Sequence, residues 1–284
     1  MQERWFDVAG DGGVRLRARE LPGPTPSAGS LLLHHGLASS QRIWDLMLPR
    51  LVRRFRVITY DARGHGLSAK PSSGYGFDHT VADALAVMRA ARMRRPVMVG
   101  HSWGAMVTLE LAARHPRSVA GDILIDGGVA TLDGRPPWPV FKEQLAPPRL
   151  AGTPLATFRK DIRRWSPVAI SPGIEQLVLS VMRVDAQQRI HPRLSRANHF
   201  RILRAIWEQD PVALYGRLRV PTLAILAKSD DAVSNGYKRA GVRAMRDAGA
   251  PAEVTWIRGV HDLPIQHPAA VANRIDRFAT TAVP

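Results

Sequence analysis

The sequence predicts an α/β fold: a mostly parallel eight-stranded sheet with an opening antiparallel hairpin, helices on both faces, and a helical cap insertion. Three observations lead there. Short apolar stretches that suit buried strands alternate with helical patterns through both ends of the chain. Between residues 129 and 219 the alternation gives way to Pro-punctuated, helical text with no clear buried strand. The 284 residues are 45% hydrophobic and 23% charged, enough to bury a large core, which excludes disorder over most of the length.

The elements follow in order. Trp5 to Ala9 and Val14 to Glu20 flank Gly10-Asp11-Gly12-Gly13, whose turn residues tolerate positive φ, so the pair reads as a hairpin. Ser30 to His34 is too apolar for anything but a central strand. A helix of about Ile43 to Arg53 and a strand, Arg56 to Tyr60, come next. Thr80 to Arg92 is helical, with Val81, Leu85 and Met88 at helical spacing. Pro96 to Gly100 is a strand, Ala105 to Ala113 an alanine-rich helix, and Asp122 to Asp126 another strand. After the interruption, Pro221 to Leu226 and Ala252 to Ile257 are strands, alternating with helices of about Tyr237 to Ala248 and Pro268 to Ala279. Residues 1–128 and 220–284 are therefore expected to form the core, and 129–219 the cap.

Charge and composition exclude several function classes. The absence of Cys excludes a disulfide framework, thiolate metal sites and a cysteine nucleophile. A net charge of +16 raises nucleic-acid binding, but the 35 Arg and five Lys are dispersed, and no zinc-finger, basic-zipper or aromatic RNA-reading pattern accompanies them. The N-terminal segment carries an acid and lacks a signal peptide's apolar core, and no apolar run reaches the roughly 20 residues that span a bilayer. A cytoplasmic protein without nucleic-acid or membrane partners, monomeric or homodimeric, is expected.

Gly100-His101-Ser102-Trp103-Gly104 falls between a predicted strand and a predicted helix. That context suits a nucleophile on a sharp turn, where flanking glycines remove colliding Cβ atoms. A serine hydroxyl needs a base, and the base an orienting acid. His261 follows the strand ending near Ile257, and Asp230 the strand ending near Leu226. Asp231 is the neighbour of Asp230, and Asp126 ends a different strand and could also reach the histidine. Charge developing on a substrate carbonyl requires two preset N–H donors. Trp103, after the serine, supplies one, and Leu37, in the His34-His35-Gly36-Leu37 loop, is the candidate for the other. His35 braces that loop or lines the pocket.

These residues resemble the α/β-hydrolase fold superfamily, in the branch of serine hydrolases with a helical cap inserted after the sixth strand. The resemblance covers about 30–126 and 220–280. It rests on His35-Gly36, Asp61-x-Arg63-Gly64-x-Gly66-x-Ser68, Gly100-x-Ser102-x-Gly104, the Asp230 loop and Gly259-x-His261-Asp262. It implies Ser102 as nucleophile, Asp230 as acid, His261 as base, and Leu37 and Trp103 as oxyanion-hole donors. Ala105, Ala227 and Ser234 depart from residues common among relatives. Serine at the elbow sets the chain apart from haloalkane dehalogenases and epoxide hydrolases, which use a carboxylate. The expected activity is cofactor-independent, carboxylesterase-like hydrolysis of an ester, lactone, thioester or related acyl substrate. Carbon–carbon bond hydrolysis and perhydrolysis use the same groups, and a non-catalytic ligand-binding protein on this fold is the rival from another class.

Gly64-x-Gly66-x-x-Ala69, with Asp83 placed to hold a ribose, imitates a dinucleotide fingerprint, but Lys70-Pro71-Ser72-Ser73-Gly74 stands where its helix should open. No cofactor or metal is expected. The cap holds fifteen Arg and Lys against seven Asp and Glu, so one of Arg159, Arg163, Arg164, Arg183, Arg193 or Arg196 is a candidate for meeting an anionic small-molecule acyl substrate. Trp138, Phe158, Trp165 and Trp207, with Phe200, either line an acyl pocket or form the cap's own core.

Overall fold

A computed structural model describes residues 2–25, 28–166 and 168–282, with the Trp165 side chain left outside the description. Eight strands form one sheet: β1 Arg4–Ala9, β2 Arg15–Leu21, β3 Ser30–His34, β4 Arg56–Tyr60, β5 Val97–His101, β6 Gly121–Ile125, β10 Thr222–Lys228 and β11 Ala252–Arg258. Their spatial order is β1-β2-β4-β3-β5-β6-β10-β11. β1, β2 and β4 pair antiparallel and the remaining neighbours pair parallel. The register sets Leu33 beside Val99 and Val99 beside Ile123, so successive residues alternate between two cores.

One core gathers Leu32, Met98, Leu124 and Ala224 under helices α2 (Phe77–Ala90), α3 (Trp103–Arg114) and α9 (Ala232–Asp247). The other gathers Leu31, Leu33, Val99, Ile123 and Ile225 under α1 (Leu48–Leu51) and α11 (Pro268–Ala282). A short α10, Leu263–Gln266, precedes α11. Among the described residues, no helix is long and apolar enough to cross a membrane.

Three expectations are corrected. The single helix of about Ile43 to Arg53 is a 3-10 turn, Gln41–Trp44, followed by α1. Pro49 explains the break: it has no N–H for a continuing helix and is accommodated in a first turn. The helix expected from Tyr237 begins at Ala232, because the Asp231 carboxylate accepts the Val233 and Ser234 N–H groups as an N-cap. The cap segment is not purely helical. Besides α4 (Trp138–Gln144), α5 (Leu155–Trp165), α6 (Pro172–Ser180), α7 (Arg196–Glu208) and α8 (Pro211–Tyr215), it holds β7 (Thr153–Pro154), β8 (Met182–Val184) and β9 (Arg189–Pro192), paired antiparallel as β7-β9-β8.

This segment leaves the sheet after β6 and returns at β10. Polar ties fix it over the carboxyl ends of the strands. Ser180 Oγ lies 2.7 Å from Ser40 Oγ, and Asn198 Nδ2 donates to Tyr75 Oη at 2.7 Å and to the Pro71 carbonyl at 3.1 Å. The Tyr215 hydroxyl accepts from Ala130 N and lies 2.9 Å from the Gly128 carbonyl, holding the segment that leaves β6 against α8.

Candidate active site

Ser102 sits between β5 and α3 at φ 56°, ψ −122°, a region that L residues avoid, so the sharp turn projects its side chain from the sheet edge. Its N–H is held by the Ile125 carbonyl of the neighbouring strand. The flanking glycines are required by space. A Cβ on Gly100 would enter the Gly104 carbonyl, and one on Gly104 would enter the His34 carbonyl of β3.

His261, in the loop after β11, points Nε2 at Ser102 Oγ, 2.8 Å away. Its loop is pinned from both sides: Val260 N donates to Gln266 Oε1 at 2.7 Å, and His101 Nε2 lies 3.0 Å from the His261 carbonyl, a pairing in which the ring must donate. His261 Nδ1 lies 2.7 Å from Asp126 Oδ2.

The carboxylate facing His261 is therefore Asp126 and not Asp230, where the acid was expected. Asp230 is two residues beyond the end of β10, its side chain is 97% exposed, and its ion-pair partner is Arg258 at 3.7 Å. Asp231 is spent on the α9 N-cap. Asp126 instead directly follows β6, the strand between β5 and β10, at φ 44°, with its side chain 1% exposed. Its other oxygen, Oδ1, accepts Ala227 N at 2.8 Å and meets Lys238 Nζ of α9 at 2.7 Å. Burial works against its charge. The hydrogen bond from His261 and the charges of His261 and Lys238 outweigh burial and hold the carboxyl below the usual carboxylate range.

Leu37 and Trp103 line the same cavity as Ser102 and His261. Trp103 is the first residue of α3, and among the described residues neither its N–H nor that of Leu37 is taken by a protein acceptor. The Leu37 loop is braced by buried histidines. His65 Nε2 accepts Ala38 N at 3.3 Å while its Nδ1 pairs with the Arg63 carbonyl, and His35 Nε2 accepts Ala62 N at 3.0 Å while its Nδ1 pairs with the Gly36 carbonyl. A ring that accepts on one nitrogen and donates from the other is neutral. Burial pushes both rings below the usual histidine range. His35 is thus a brace and lines no cavity described here, which corrects its place among the pocket candidates.

The Asp61 to Ser68 motif is wiring of the same kind. Asp61 accepts Gln41 N and Leu67 N, while Arg63 and Asp83 form a buried two-point ion pair, Nε to Oδ2 at 2.6 Å and Nη2 to Oδ1 at 2.7 Å. Asp83 is thereby committed within the core.

The cavity over Ser102 measures about 820 Å³, within the range of small-molecule sites. Its walls are Phe141, Leu145, Leu203, Ile206, Val233 and Tyr237, with Arg135 reaching it while its guanidinium donates to the Trp207 and Gln209 carbonyls. Three of the aromatic residues expected to line it are placed elsewhere. Phe158 is buried with Met182 and Ile190 in the cap's own core, and Trp138 and Trp207 pack on each other and on Arg204. Phe158 thus serves the cap interior, whereas Trp138 and Trp207 are half-buried at the cap surface. The Trp165 side chain falls outside the described residues. Of the six candidate arginines, Arg159 and Arg163 pair with Glu175, and Arg193 and Arg196 line a neighbouring cavity.

Lys238, His101 and Arg135 escaped the sequence reading. Only the adjacency of His101 to Ser102 gave any signal, since Lys238 meets Asp126 across 112 residues of chain and Arg135 meets Trp207 and Gln209 across 72 and 74, distances that no short motif spans.

Fold and site define a class of enzyme, and the comparisons with known proteins agree. The chain belongs to the alpha/beta hydrolase family, whose model matches residues 31–274. A putative carbamate hydrolase RutD of Yersinia enterocolitica is 31% identical over 216 residues, 72% of each chain. A non-heme haloperoxidase of Rhodococcus erythropolis is 39% identical over 107 residues, 37% of this chain and 39% of the relative. A 2-(acetamidomethylene)succinate hydrolase of Mesorhizobium japonicum is 34% identical over 115 residues, 40% of each. The matches to these last two thus span about two fifths of the relatives' length. Among solved structures, E-2-(acetamidomethylene)succinate hydrolase superposes with a TM-score of 0.80 at 23% identity, covering 98% of this chain and 100% of that one. The enol-lactonase of Burkholderia xenovorans gives 0.70 at 20% identity, covering 98% and 100%. These likenesses establish the fold and the hydrolase family.

Proposed function

We propose that the protein is a cofactor-independent serine hydrolase of a small acyl substrate, acting through Ser102, His261 and Asp126. The reading rests on one observation: the hydrogen-bonded series Ser102 Oγ, His261 and Asp126, at 2.8 and 2.7 Å, begins at a strained elbow and opens into a cavity. Ser102 Oγ attacks the acyl carbon while its proton passes to His261 Nε2. Asp126 accepts the Nδ1–H, fixes the ring orientation and stabilises the imidazolium. The carbonyl oxygen, now negative, accepts the Leu37 and Trp103 N–H groups, each worth roughly 10² to 10³ in rate. His261 returns the proton to the leaving group. A water, deprotonated by the same nitrogen, then releases the acyl group from Ser102.

An ester, lactone, thioester or carbamate suits this sequence, since each presents an acyl carbon bonded to a heteroatom that can leave. Similarity to a non-heme haloperoxidase supports a second reading, in which hydrogen peroxide replaces water in the last step and a peracid leaves. The test is turnover of p-nitrophenyl esters and fluorophosphonate labelling read by mass spectrometry. Ser102→Ala is expected to lose at least about 10³-fold in kcat while remaining folded, and to take no label. Undiminished turnover in that variant, or tight ligand binding without turnover by the wild type, would defeat the proposal. Peracid formation from acetate and peroxide distinguishes the second reading.

A further inference from the structure

A second cavity, of about 660 Å³, lies beside the first and does not contain Ser102, Asp126 or His261. Its floor is Ala38, His65 and Gly66 of the core loops, and its roof is cap residues including Leu150, Met182 and Leu194. His199 lines both cavities and stands between them. The walls are mainly apolar, and the charged residues lining it are all cations: Arg149, Arg193 and Arg196.

These three differ from other arginines of the cap. Arg159 and Arg163 share Glu175, and Arg204 pairs with Glu208. Among the described residues, Arg149, Arg193 and Arg196 make no ion pair. Arg193 Nε donates to the Met182 carbonyl at 3.1 Å, and Arg196 donates to the Pro147 carbonyl and lies over the Phe200 ring. Carbonyls orient a guanidinium without neutralising it. The surplus is felt nearby. After burial, the charge of Arg193 is the next influence holding Lys70 below the usual lysine range, and Arg196 contributes to lowering His199.

An apolar chamber with uncompensated guanidinium groups on its wall has the chemistry to hold an apolar body and fix a carboxylate, which a guanidinium can grip with two parallel hydrogen bonds. We infer that this chamber is a binding compartment for an apolar monocarboxylate, gripped by Arg193 and Arg149 and packed on Leu150, Met182 and Leu194. Such a ligand could be the far arm of a molecule attacked at Ser102 or a separate acid. The inference goes beyond the proposed hydrolysis and does not depend on it.

Decanoate binding, measured by calorimetry on the Ser102→Ala protein with decan-1-ol as the uncharged control, tests it. Decanoate is expected to bind more tightly than the alcohol and to weaken as salt rises. Arg193→Met and Arg149→Met, which keep an apolar stem, should each weaken decanoate about tenfold and leave decanol unchanged. Both side chains are at least partly exposed, and melting temperatures verify that the variants are folded. Repeating the titration on wild type phosphonylated at Ser102 separates the sources. Unchanged binding identifies a separate acid, and arginine-dependent binding abolished by the label identifies the arm of a larger substrate; both support the compartment. Equal affinity for acid and alcohol, or decanoate binding insensitive to both substitutions in folded protein, would overturn it. Neither readout requires turnover, so failure of the hydrolase proposal would be seen separately.

Discussion

Replacing Asp126 by Asn tests the assigned acid most sharply, because the surroundings dictate how the amide must lie. Two donors, Ala227 N at 2.8 Å and Lys238 Nζ at 2.7 Å, converge on Oδ1. The amide oxygen is the one atom of Asn that can satisfy them, so the NH₂ group is turned toward His261 Nδ1. That nitrogen, 2.7 Å from the present Oδ2, must then accept instead of donate. The ring proton moves to Nε2, the atom that has to receive the Ser102 proton. A histidine locked in that tautomer costs about 10⁴ in kcat in enzymes of this mechanism, or about 5.5 kcal/mol of barrier. Steady-state hydrolysis of p-nitrophenyl butyrate and the rate of fluorophosphonate labelling should both fall by 10³ or more. KM should change little, because Asp126 is behind the histidine. Asp230→Asn and Asp231→Asn should stay within about twofold of wild type. Activity of Asp126→Asn within tenfold of wild type, or a comparable loss in Asp230→Asn, would refute the assignment.

Two further tests concern stability. Arg63→Met leaves the Asp83 carboxylate buried without its two-point partner and should cost about 3–5 kcal/mol in urea denaturation, with Arg63→Met/Asp83→Leu recovering part of it; a loss under 1 kcal/mol would contradict this. Burial pushes the Asp122 carboxyl up to about 7, whereas an unfolded chain ionises near 4, so folding takes up a proton between those values and stability falls as pH rises across them. Asp122→Asn removes that dependence. Its advantage over wild type should grow from pH 4.5 to pH 8 by up to about 4 kcal/mol, and an advantage equal at both pH values would contradict the prediction.

The middle of the sheet was legible because its central strands are buried on both faces and so read as short apolar runs such as Leu31-Leu32-Leu33 and Ile123-Leu124-Ile125. Ser102 was legible because steric demands at its turn write glycine on either side. His261 followed from its place after the last strand. The choice among Asp126, Asp230 and Asp231 was not legible, since it depends on which strand end lies beside Ser102 and which carboxylate is already spent on a helix cap. The pocket lining was misread for a related reason: hydrophobicity says that Phe158 and Trp207 will be covered, but not whether by ligand or by the cap itself. Strands of two to four residues, β7 to β9, are too short for alternation to register in sequence.

With Asp126, just after β6, facing His261, the turn of residues 229–231 takes no part in the proposed chemistry. Substitutions or short insertions at Ser229 and Asp230 should be tolerated there, which makes this turn a place to attach a reporter close to the active site without touching the groups that would act.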